Sequence, residues 1–244
     1  MAPLIAASAA VWAATASSAL AGPVQDITAG SSQVTEGFFQ GMLLIFFSEL
    51  GDKTFFIALL LASQKPKSLV FAGTFGALAI MTGISVVIGR SLHLLDEIVP
   101  QAQGFPWDDV VAVVLLLVFG IQTLINAKNA EETAAEEKEE AAEEVALLTA
   151  GSAGLIASTF ALVFAAEWGD KSFLATIALA AASSPVGVTC GAVTGHGMAT
   201  ALAVVGGGYL SKNVSESTLQ YGGGILFLCF AFAQAINIAQ TVLG

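Results

Sequence analysis

The residues of this chain best suited to chemistry stand in two short segments. One reads Ser48-Glu49-Leu50-Gly51-Asp52-Lys53-Thr54, the other Ala166-Glu167-Trp168-Gly169-Asp170-Lys171-Ser172. Both are embedded in apolar sequence; Leu43 to Phe47 precedes the first and Phe55 to Leu61 follows it. A charged side chain at membrane depth costs about 2.5–3.5 kcal/mol on insertion scales. Two carboxylates and an ammonium within five positions, written twice, are hard to explain without a role. On a helix, Glu49 and Asp52 share a face, with about 5–6 Å between Cβ atoms at that spacing. Lys53, one turn after Glu49, then reaches the same carboxylate. Gly51 and Gly169 either admit a close neighbour or let the helix open. Thr54 and Ser172 add hydroxyl oxygens.

Brought together, Glu49, Asp52, Glu167 and Asp170 carry four negative charges, and Lys53 and Lys171 return the balance to two. That is the charge one divalent cation neutralises. Crowded carboxylates hold either a metal or protons, and competition between the two for one site is the minimal chemistry of an exchanger. The ligand set is all oxygen, which suits Ca, Mg or Mn rather than zinc or copper. The structural alternative makes these groups buried salt bridges that lock parts of the chain together. It leaves one acid per segment unpaired, which is costly unless that acid is protonated or metal-bound.

Long apolar elements must position these groups. Hydrophobic residues make up 56% and charged residues 11% of the 244, against about 25% charged in soluble domains. The mean hydropathy is +0.81. A spanning helix takes about 20 apolar residues, and the sequence predicts six: 36–63, 68–92, 108–127, 150–182, 186–210 and 218–243. The fourth is long enough to contain a break. Gln64-Lys65-Pro66-Lys67 and Ser183-Ser184-Pro185 read as turns. Residues 128–149 form an acidic loop, with 8 of the chain's 19 acids between Glu131 and Glu144, and read as a solvated, helical tether.

The chain repeats itself at an offset of 118 residues. Beyond the two motifs, Phe55 matches Phe173, Gly73 matches Gly191, Thr82 matches Thr200, Gly89 matches Gly207 and Leu92 matches Leu210, without a gap. Each half, 36–127 and 150–244, holds three predicted helices. Three is odd, so the second half enters the membrane from the opposite side. The expected fold is an all-α membrane protein with a six-helix core of two inverted-topology three-helix repeats, an architecture common among secondary transporters. Lys65, Lys67, Lys128, Lys138 and Lys212 fall in loops on one side and Arg90 on the other. The positive-inside rule then puts the acidic loop in the cytoplasm or its plastid equivalent, the stroma.

The first 35 residues are Ala-rich and contain Ala19-Leu20-Ala21, a small-x-small pattern like a signal-peptidase site. They read as a targeting remnant, as a seventh N-terminal helix, or as a flexible leader, followed by a polar linker. Gln122, Asn126, Gln234 and Asn237 either extend a cation path or make interhelical hydrogen bonds. His196 aligns with Leu78, so the repeat gives it no place in a shared site, and a proton relay is its alternative role. Cys190 and Cys229 stand alone and read as small buried hydrophobes. No basic patch suits nucleic acid, and no Gly-x-Ser-x-Gly or HExxH signature supports catalysis. The chain therefore reads as no enzyme and as needing no prosthetic group; its partners are a divalent metal ion, protons and the bilayer.

The doubled motif resembles the Gdt-one (GDT1) family of divalent cation/proton antiporters, which carries two Glu-x-Gly-Asp-Lys/Arg-Thr/Ser motifs in homologous three-helix halves. Both motifs are intact here, at Glu49–Thr54 and Glu167–Ser172, and the resemblance covers residues 36–244. It implies Mn2+ or Ca2+ as transported ion, bound by Glu49, Asp52, Glu167 and Asp170 with Thr54 and Ser172, charge-balanced by Lys53 and Lys171. The Ala-rich start and the Leu50/Trp168 difference resemble the chloroplast branch. That branch implies a thylakoid membrane, with the inner envelope as alternative, and manganese delivery toward the lumen for photosystem II. Mainly Ca2+/H+ exchange is the runner-up within transport. A membrane assembly subunit with structural ion pairs is the reading from another class.

Overall fold

The computed structural model describes residues 31–98, 107–147, 154–206 and 215–243. Among these run nine α-helices: α1 Ser31–Glu49, α2 Lys53–Gln64, α3 Lys67–Ile98, α4 Trp107–Asn126, α5 Ala130–Leu147, α6 Leu155–Glu167, α7 Lys171–Ala182, α8 Pro185–Ala201 and α9 Glu216–Leu243. A π-helical turn, Leu202–Gly206, extends α8. The proposed targeting remnant or seventh helix falls almost wholly outside the described residues, as does Lys212.

Four segments are long and apolar enough to cross a membrane: Lys67–Leu92, Asp109–Ala146, Pro185–Gly206 and Ser217–Gln240. The first and fourth predicted helices are each split in two, into α1–α2 and α6–α7. Half-helices α2 and α7 have 12 residues each. They are about 18 Å long, roughly three-fifths of a 30 Å hydrocarbon core. The turns fall as the sequence predicts. α2 ends at Gln64 before Pro66, and the Ser184 hydroxyl caps α8 by accepting from Gly187 N–H (3.3 Å), with Pro185 at the first helical position.

The two halves interlock. α1 packs along α8 and α6 along α3, so the first helix of each half lies on the second helix of the other. Glycine permits both contacts. A Cβ on Gly191 would strike the Phe38 carbonyl, and one on its repeat partner Gly73 would meet Ile156 O at 2.9 Å. Small residues at such crossings are how membrane helices approach closely. Leu44, Leu179, Val188 and Phe227 belong to one buried apolar cluster, and Phe56, Leu61, Leu78 and Val163 to another. Outside, α4 presents Val111, Val114, Val118, Ile121 and Ile125, each at least half exposed. This one-sided apolar stripe is at rest only against lipid. Cys190 and Cys229 are exposed, not buried as expected.

The acidic segment is helical but is not a free tether. A single 3-10 turn, Ala127–Asn129, joins α4 to α5, and the flanking residues keep right-handed helical backbone. Ala127, Ala130, Ala134 and Ala141 are buried while most of the acids face outward. Of these, Ala134 and Ala141 share a buried cluster with Phe55, Phe56 and Leu61 and dock α5 along α2.

Candidate functional site

Both motifs break at their glycine. Gly51 has φ 78° and Gly169 φ 88°, a left-handed conformation that a Cβ makes costly. Asp52 and Asp170 follow in extended backbone, with ψ 164° and 168°, and α2 and α7 begin one residue later. The same hydrogen bond closes each break: Asp52 N–H donates to the Glu49 carbonyl (3.2 Å) and Asp170 N–H to the Glu167 carbonyl (3.1 Å).

The glycines thus open the helices, and this corrects the one-face geometry expected of an unbroken helix. Lys53 does not take Glu49. Its Nζ lies 3.2 Å from Glu140 and 2.5 Å from Glu144, both on α5. Lys171 instead crosses between the motifs, with Nζ 2.5 Å from Asp52 Oδ1. The four acids therefore keep one ammonium, and their formal balance is three negative charges rather than two.

The acids lie at two levels. Asp52 and Asp170 line a cavity of about 310 Å3 with Lys171, Gln122, Asn126 and Glu137. Glu49 and Glu167 are deeper, 3% and 2% exposed. Each accepts from the hydroxyl of its own motif: Thr54 Oγ1 donates to Glu49 Oε2 (3.2 Å) and Ser172 Oγ to Glu167 Oε2 (2.9 Å). Thr54 also stands close to Glu167, so the two glutamates meet across it. Each glutamate borders a narrow crevice, and the two crevices match at the repeat offset. Glu49, Thr54, Leu78 and Thr200 line one; Glu167, Ser172, His196 and Thr82 line the other.

Two of the four secondary polar residues, Gln122 and Asn126, thus join the site. Gln234 does not; its amide donates to Asp109 Oδ1 (2.7 Å), an interhelical bond, and Asn237 lines none of these spaces. Sequence reasoning passed over His196. Its Nδ1 lies 3.6 Å from Glu49 Oε1, with the residue 4% exposed. The signal was the Gly187, Gly191, Gly195 stripe, which seats α8 on α1, the helix that ends at Glu49.

Among the described residues, no three His, Cys, Asp or Glu side chains already close into a metal cage. Holding an ion here takes carboxylates together with hydroxyls or water, or release of Asp52 from Lys171. Glu167 Oε1, His196 Nδ1 and Thr200 Oγ1 are buried without a hydrogen-bond partner, and each such group costs about 1–3 kcal/mol.

A helical membrane protein with a charged centre shared between its two halves is the class that this fold and site define. The chain belongs to the GDT1 family: the family model described as divalent cation/proton antiporter GDT1 matches residues 37–131 and 155–241. The chloroplastic protein PAM71 of Arabidopsis thaliana is 55% identical over 218 residues, covering 86% of this chain and 58% of that protein. GDT1-like protein 1, chloroplastic, of Oryza sativa subsp. japonica is 50% identical over 228 residues, covering 89% and 67%. A GDT1-like protein of Synechocystis is 40% identical over 201 residues, covering 80% and 94%. The chain thus spans 58% of the length of its Arabidopsis relative. No solved structure matches it.

Proposed function

We propose that the chain is a secondary transporter that moves Mn2+, with Ca2+ as alternative cargo, across a chloroplast membrane in exchange for protons. The observation that carries this reading is the meeting of both motifs at two helix breaks beside one cavity, with Lys171 of one bound to Asp52 of the other. The fold proposed with it is two inverted three-helix repeats, each broken helix counting as one crossing. The interlocked packing and the matched crevices support that symmetry.

The parts suit the task. The positive N-terminal ends of α2 and α7 lie at the acids, and broken helices of this kind carry ion sites in other transporter folds. An arriving cation competes with Lys171 for Asp52, then draws on the deeper Glu49 and Glu167 with Thr54 and Ser172. When the cation leaves, protons or Lys171 restore the balance. The cavity is bordered by Thr133 and Glu137 of α5, which the lysine distribution puts on the stromal side. Loading there and release on the far side would supply manganese to the thylakoid lumen for photosystem II; the inner envelope is the alternative membrane. The Arabidopsis and rice relatives, both named chloroplastic, support the compartment.

One observation favours the non-transporting reading: the Asp52–Lys171 bridge also ties the halves together. Flux in proteoliposomes decides. Mn2+ and Ca2+ uptake should require a pH gradient in the wild type and vanish in Asp52→Asn and Asp170→Asn. Gradient-independent uptake would indicate a uniporter. No flux in a folded wild type, or flux indifferent to both variants, would leave the ion pairs structural.

A further inference from the structure

We infer that His196 is a nitrogen ligand to the transported ion, contributed by one repeat only, and that it tunes the site toward first-row transition ions over Ca2+. The inference rests on the cation-site reading above and deepens it by naming the class of cargo. Three observations place the ligand. His196 Nδ1 is 3.6 Å from Glu49 Oε1, a gap that must close by ~0.6 Å to reach the ~3 Å separating two neighbouring ligands of one octahedral ion bound at ~2.1 Å. Nδ1 has no hydrogen-bond partner although the residue is 4% exposed. Glu167 Oε1, on the crevice that His196 also lines, is buried and unpartnered as well. A ring nitrogen and a carboxylate oxygen, both buried and unpartnered, thus lie beside Glu49 and Thr54. An imidazole placed only to fill space would be expected to spend its ring nitrogen on one of the hydroxyls nearby. Thr82 and Ser85 are committed to backbone carbonyls instead.

The chemistry follows from the ligand type. Calcium takes six to eight oxygens in a flexible shell, and a neutral imidazole replaces one of them poorly. First-row transition ions accept imidazole together with carboxylate. The pseudo-symmetric position, Leu78, is apolar, so the nitrogen enters a site that otherwise has two-fold character. Selectivity is then set by the half that departs from the repeat.

The test uses the full chain and two readouts. Pulsed electron paramagnetic resonance of bound Mn2+ should show coupling to a histidine nitrogen in the wild type and lose it in His196→Gln. In proteoliposomes, His196→Gln and His196→Leu should lower the Mn2+ to Ca2+ flux ratio by at least about tenfold, with thermal unfolding in detergent as the check on folding. Nitrogen coupling without any flux would uphold the ligand and sink the transport reading. Flux of both ions with no nitrogen coupling, or with an unchanged ratio in the variants, would overturn the ligand and spare transport. Equal loss of both ions in both variants would make His196 a structural support for Glu49, and would also overturn the inference.

Discussion

The two motifs are alike in sequence and backbone yet differ in where their side chains go. Lys53 leaves the site for Glu140 and Glu144 on α5, whereas Lys171 turns inward to Asp52. Asp170 caps its own helix, accepting from Ser172 N–H at 3.2 Å, while Asp52 makes no side-chain cap because its carboxylate is engaged by Lys171. Leu50 is 6% exposed, and Trp168 at the matching place is 60% exposed, stacked on Phe173 at 5.7 Å. The sequence repeat supplies two matched motifs. The neighbours that each half meets, α5 for the first and the opposite motif for the second, make them unequal.

Substitutions can break this comparison, and the largest effect belongs to the acids. On the transport reading, Asp52→Asn should reduce Mn2+ flux at least ~100-fold, because it removes a proposed ion ligand and strands the Lys171 ammonium. Asp170→Asn should abolish flux as well but cost less stability, since asparagine still caps a helix; thermal unfolding in detergent separates the two variants. Next, Lys171→Met should lower stability by about 2 kcal/mol, allowing for the partial exposure of its side chain, because Asp52 is left unpaired. Lys53→Met should cost less, about 1 kcal/mol, since Glu140 is largely solvated and only Glu144 is half-buried. Equal losses at the two lysines would erase the asymmetry described here. Gly169→Ala should cost about 1–2 kcal/mol through backbone conformation alone, since nothing lies within 4 Å of the added Cβ. The smallest effect is expected for Trp168→Leu, within about 0.5 kcal/mol, measured by the same melts.

Much of this arrangement was legible in the chain, and the parts that were not share a cause. The doubled motif, its offset and its apolar setting identified Glu49, Asp52, Glu167 and Asp170 as one centre, because charges in an apolar run announce themselves by cost. The turns at Pro66 and Pro185 were legible for the same local reason, and the fourth predicted helix was long enough to suggest its break. The break in the first was not, since a glycine serves close packing and helix opening equally well, and only φ at Gly51 separates them. The target of Lys53 lies on α5, far along the chain, and helical spacing speaks only for neighbours a turn apart. His196 was passed over because repeat logic rewards what both halves share. The acidic run looked solvated because its acids outnumber the alanines that dock it.

The connection between the halves is not slack string but the far arm of a lever, since α4 runs into α5 through helical backbone across Ala127–Asn129. The 18 residues of α5 make an arm about 27 Å long, so a tilt of about 5° in α4 would swing its tip by about 2 Å. That is comparable to the reach of the ion pairs holding Lys53. A small rocking of a lipid-facing helix would thus be felt, amplified, at the first motif's lysine, whereas the second motif's Lys171 is held by Asp52 instead.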